Sequence, residues 1–191
     1  MPVFSISKRL LQIITLWLLM QSTANAAIFS VNNPIVSRIG NGYVLSAQIS
    51  YPLTPRVIEA LQNGVPITFF QELKLIDAFP LIGNFWQWET TLWEQIIRYQ
   101  LRYHALSEQY VLESLDTKHQ QSFPSLTGAL AALGKISKMP LPPKFTSSTE
   151  DLLLEIRSGL DLNALPTPMR PGALISDKWD LTSPWVRAVW Q

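Results

Sequence analysis

From Tyr43 to Tyr51 the odd positions read Tyr, Leu, Ala, Ile and Tyr, while Val44, Ser46, Gln48 and Ser50 fill the even ones. A period of two cannot sit on one face of a helix, whereas successive side chains of a strand point to opposite faces. The pattern returns in Val65, Ile67, Phe69, Gln71, Leu73 and Leu75. It returns again in the even positions from Leu152 to Leu162, set against Glu155, Arg157 and Asp161. Strands dry on one side and wet on the other belong to antiparallel sheets. "IGNG" at 39–42 supplies a turn that pairs the strand from Tyr43 with one near 28–37.

Two short helices interrupt the strands. "LTPRVIEALQNG" offers Thr54 as N-cap, Pro55 in the first turn and Gly64 as terminator, and "PSLTGALAALGK" offers Ser125 as N-cap and Gly134 as the stop. Neither is long enough to stand alone, so each plugs an end or edge of a sheet. "KMPLPPKFTSST" (138–149) reads as a proline-rich loop, and "ALPTPMRPG" (164–172) as an extended crossover. The expected fold is all-β, mainly an antiparallel β-sandwich with two short helices, in one domain over 27–191.

Residues 1–26 stand apart as a signal peptide. Lys8 and Arg9 precede the uncharged run "LLQIITLWLLM", and Ala24 and Ala26 place small residues before a cleavage point after Ala26. The run is too short to span a bilayer, and no later segment is apolar enough to do so. Without the leader, thirteen basic residues face fourteen acidic ones, a net charge of −1 that gives no footprint for nucleic acid. Cysteine is absent, so disulfides and thiolate-held metals are excluded. A chain of this size can hold itself together by burial alone.

Several stretches resemble, in order and distance, the bacterial family of domain of unknown function 4390. They are "NGYVLSAQISYPLTPRVIEALQNGVPITF", "RYHALSEQYVL", "SFPSLTGALAALGKI" and "LDLNALPTPMRPGALISDKWDLTSPW". The resemblance covers nearly the whole mature chain and departs most in "DAFPLIGNFWQWETTLW". It implies an exported envelope protein of Gram-negative bacteria and assigns no activity or site residue.

Two sequence features are candidate contact surfaces. In "RYQLRYHALSEQYVL" Arg98, Arg102 and His104 alternate with Tyr99, Leu101 and Tyr103, placing a basic face opposite an aromatic one. Arg98 and Arg102 stand roughly 13 Å apart on a strand and suit a partner's anions. The plainer reading is a wet strand face with both arginines paired to acids. In "GNFWQWETTLW" an extended backbone puts Trp86 and Trp88 on one side as a stacking platform. The plainer reading there is that the tryptophans cover the core. At the C-terminus, Trp179 and Leu181 are expected to pack in a strand, with Trp185 and Trp190 as a free tail.

Catalysis has little sequence support. The mature chain has only His104 and His119, Ser107 lies at a turn rather than in a nucleophile elbow, and no metal-ligand spacing occurs. The expectation is therefore a periplasmic, non-catalytic interaction protein of the cell envelope, without cofactor or metal, whose partner is another envelope protein. The alternative is a glycan- or lipid-binding protein that uses Trp86 and Trp88.

Overall fold

The computed structural model describes residues 28–80, 87–142 and 152–191, the side chains at 78–80, 87 and 88 excepted. The leader with its cleavage point after Ala26, Trp86, and most of the proline-rich loop lie outside these residues.

Ten strands form two sheets among the described residues. The smaller runs β10 (Val189–Trp190), β1 (Ser30–Ile39), β2 (Gly42–Ser50), β7 (Lys135–Pro140). The larger runs β6 (Gln120–Phe123), β5 (Gln109–Ser114), β4 (Gln87–His104), β3 (Ile67–Pro80), β8 (Leu152–Leu160), β9 (Val186–Arg187). Every neighbouring pair is antiparallel except β1 with β10. The expected all-β sandwich is what the chain forms. Its first hairpin turns at Gly40, whose φ of 60° is a left-handed conformation that glycine adopts without strain.

The alternating residues meet in one core. Leu45 and Ile49 of β2 face Phe69, Leu73 and Leu75 of β3 and Leu154 and Ile156 of β8, all fully buried. Phe29, Tyr51 and Phe69 form an aromatic trio, with Tyr51 set edge-on to the other two at 4.9 and 5.3 Å. Helix α1 (Pro55–Gln62) is capped by Thr54 and buries Val57, Ala60 and Leu61. Helix α2 (Leu126–Gly134) is capped by Ser125 and buries Ala129 and Leu133.

Gly134 ends α2 as expected, without a left-handed turn. It is the last helical residue, and a Cβ there would stand 2.0 Å from the Ile49 carbonyl oxygen. Its role is to let α2 rest directly on β2. The crossover at 164–172 is not extended. It begins at the last residue of a 3-10 turn (Leu162–Ala164) and runs into a third helix, α3 (Arg170–Leu174), where Pro171 sits in the first turn and its missing N–H costs nothing. The first three residues of the proline-rich stretch, Lys138 to Pro140, belong to β7.

Strand β3 is covered on both faces, as its alternation did not suggest. Thr68, Glu72 and Ile76 point away from the core and are nearly as buried as the residues that face it. Part of the cover is the C-terminal segment. Trp179 and Leu181 are buried as expected, but outside any strand. Trp185 and Trp190 are no free tail. Trp190 lies in β10 against Tyr43, and Trp185 lies over Lys74 and Arg157 at 4.7 and 4.5 Å.

The Thr68 hydroxyl is buried without a hydrogen-bond partner among the described residues. Thr68→Val keeps the branched shape and removes this unpaired group, so it should stabilise the fold by about 1 kcal/mol in urea denaturation. A destabilised variant would mean that the hydroxyl is satisfied in solution.

Candidate functional site

The pairing of β4 with its neighbours sends the side chains of Glu94, Ile96, Arg98, Arg102 and His104 to the outer face of the larger sheet. The three basic residues therefore share one face, as their spacing predicts. Two of them are neutralised there. Arg98 Nε stands 3.4 Å from Asp161, and Arg102 Nη2 donates to Glu113 on β5. His104 is exposed and makes no ion pair among the described residues. Exposed pairs of this kind contribute little to stability, and they leave less free cationic surface than the sequence offered. Trp88 contributes its backbone to β4, and its side chain lies outside the described residues.

Beside this stripe lies a cluster that the sequence did not disclose. Glu72 is held by Arg157 at 2.6 Å and by Lys74 at 3.4 Å, with Trp185 lying over both cations. Burial pushes the Glu72 carboxyl up, but Arg157 and the surrounding hydrogen bonds outweigh it and hold the group below its usual range. The lowered pKa makes the ionised Glu72 stabilising above the ordinary carboxylate range, and that contribution is lost as pH falls through it. The partners come from β3, β8 and the C-terminal segment, so no local motif could announce them.

Asp116 accepts from the Arg98 backbone N–H, near one end of the β4–β5 pair, and His104 ends β4 at the other. Six strand residues between them amount to roughly 20 Å. Among the described residues no group of three or more His, Cys, Asp or Glu could hold a metal ion.

The more suggestive feature is concave. Between β7 and the inner face of β4–β6 the two sheets stand open in a groove of about 340 Å³. Gln71, Tyr99, Leu112 and Leu133 line it, with His119 and Gln121 on one side and the whole of β7 on the other. Burial, and then the nearby Asp116 charge, raise the Tyr99 pKa, so its phenol stays a donor well into alkaline conditions. His119 and Gln121 stand 3.2 Å apart. The lining includes Lys135 and Lys138 and no carboxylate. Donors and cations over an apolar floor are the composition of a ligand-binding site. Sequence reading missed it because its walls come from strands distant in the chain.

A second cleft, of about 850 Å³, opens between α1 and α3 over Pro55, Met169, Ala173 and Trp179, with Leu174 and Ile175 exposed nearby.

The model of the family described as Domain of unknown function (DUF4390) matches residues 26–188. No curated protein and no solved structure shows significant similarity to the chain.

Proposed function

Since this chain belongs to the DUF4390 family, whose description carries no activity, its role must come from its own surfaces, and we propose an exported, non-catalytic binding protein of the cell envelope, partnered by another envelope protein. The observation that carries this reading is the groove beside β7. It pairs an apolar floor with the donors of Tyr99 and Gln121 and with the cations of Lys135 and Lys138. A concave apolar site with a few placed polar groups is the usual form of a binding site. Export is supported by the leader pattern of residues 1–26.

The test places a photo-crosslinking residue at Gln121 in the producing cell. The expected result is a mature protein beginning at Ala27 in the periplasmic fraction, with a discrete protein adduct that is lost in Tyr99→Ala. Retention in the cytoplasm would defeat the export reading. An exported protein without an adduct would remove the groove as a protein contact. Glycan and lipid titrations with Trp86→Ala and Trp88→Ala would then decide whether the alternative ligands are bound.

A further inference from the structure

The larger sheet leaves much of one strand margin uncovered. β5 pairs with β4 only from Tyr99 to His104. One step further, Leu115 donates its N–H to the Arg98 carbonyl, and the Arg98 N–H goes to Asp116. Beyond that point β3 lies on one side of β4, and no described strand lies on the other. Backbone groups alternate in direction along a strand, so Glu94 and Ile96 direct theirs the same way as Arg98, away from β3. Unshared N–H and C=O groups in a row are a template for another strand.

The remaining sheet edges are blunted. β9 and β10 are two residues long and β6 is four. β7 carries Lys135, Lys138 with a left-handed φ of 51°, and Pro140. The distal part of β4 has neither lysine nor proline, and it is rich in strand-forming residues: Thr90, Thr91, Leu92, Ile96 and Ile97. Leu92 is 50% exposed and Ile96 37% among the described residues, which is apolar surface in part open. Only the register shift opposite Leu75 and Ile76 interrupts the run.

The charge of this margin selects its occupant. Between 81 and 97 the sequence has Glu89 and Glu94 and no lysine or arginine. Lys74, the cross-strand neighbour of Glu94, is drawn instead to Glu72 and Trp185. The cation nearest to Glu89 is Arg187, at 3.9 Å. A second copy pairing through the same margin would bring the same two glutamates and no base, so it is the wrong partner. We propose that the distal margin of β4 accepts an extended, basic segment of a partner protein as an added strand, with lysine or arginine side chains beside Glu94 and Glu89. This surface is separate from the groove at β7, and it stands or falls independently of it.

The probes are two synthetic nine-residue peptides of alternating valine and charged residues, one with lysine and one with glutamate. Each is added to the secreted protein, with amide exchange followed residue by residue. The lysine peptide is expected to slow exchange at Glu94 and Ile96 and the glutamate peptide is not. Glu94→Lys should weaken the lysine peptide by about fivefold, the value of one opposite-charge cross-strand pair. Ile96→Pro should abolish binding, because it removes an N–H that the protein's own sheet does not use. If Ile96→Pro does not fold, Glu94→Lys decides alone. Equal binding of the two peptides, protection at β6 or β7 instead, wild-type binding by Glu94→Lys, or no protection with either peptide would overturn the proposal.

Discussion

Gly134→Ala should lower the unfolding free energy by about 3 kcal/mol or more, enough to remove much of a typical domain's stability. The added methyl would stand 2.0 Å from the Ile49 carbonyl oxygen and 3.1 Å from its carbonyl carbon. Both belong to the backbone of a central strand, which cannot move aside as a side-chain tip can. Helix α2 would have to lift from β2, exposing Ala129 and Leu133. Gly172 in α3 is the control, because a Cβ there meets nothing within 4 Å. Gly172→Ala should be stabilising, by about 0.5–1 kcal/mol, through helix propensity alone. Urea denaturation of the two variants side by side reads opposite signs. A Gly134→Ala protein as stable as wild type would mean that α2 does not sit on β2 as described.

Tyr51→Phe is expected to cost about 1–3 kcal/mol, because it cuts a directed chain of hydrogen bonds inside the core. Gln71 Nε2 donates to the Leu133 carbonyl at 2.9 Å and to the Tyr51 hydroxyl at 3.0 Å. The Ser158 hydroxyl gives its proton to the Phe70 carbonyl at 2.6 Å, so Tyr51 must be the donor to Ser158 at 3.0 Å. Removing the phenolic oxygen leaves Gln71 with a buried N–H and Ser158 without its donor.

The same network fixes a pH dependence. Burial pushes the Tyr51 phenol up to about 12 from its ordinary 10, against the opposing pull of its bonds to Ser158 and Gln71. The folded pKa lies above the unfolded one, so the contribution is complete below pH 10 and is lost as pH rises towards 12. Two pKa steps correspond to about 3 kcal/mol. Stability measured across that window should fall more steeply in wild type than in Tyr51→Phe. Parallel curves for the two proteins would count against a buried, protonated Tyr51.

The parts of this fold that were legible in the sequence are those set by neighbours along the chain. Alternation located β2, β3 and β8, and Thr54 and Ser125 marked both helix starts, because side-chain direction and capping act over a few residues. What could not be read depends on contacts between distant segments. Gly134 reads only as a helix stop until the Ile49 carbonyl is seen above it. Trp185 and Trp190 follow a weakly charged stretch, and their places over Arg157 and beside Tyr43 exist only once both sheets are built. The basic stripe of β4 was assigned to the correct face, but Asp161, which neutralises Arg98, is 63 residues away in sequence. The groove and the bare margin of β4 were out of reach for the same reason, since both arise from which strand lies beside which.

The C-terminal segment carries one more consequence. Within a few residues it pairs with β8 of the larger sheet and with β1 of the smaller, and Gln191 donates its N–H to the Val36 carbonyl at 2.8 Å. That makes it a binding along one long side of the sandwich, like the spine of a book. The facing side, between β6 and β7, is closed by α2, which joins those two strands, rests on β2 and accepts from Gln71 of β3. With the spine cut, the sheets should therefore part along β1 and β8, and α2 would be the hinge that remains.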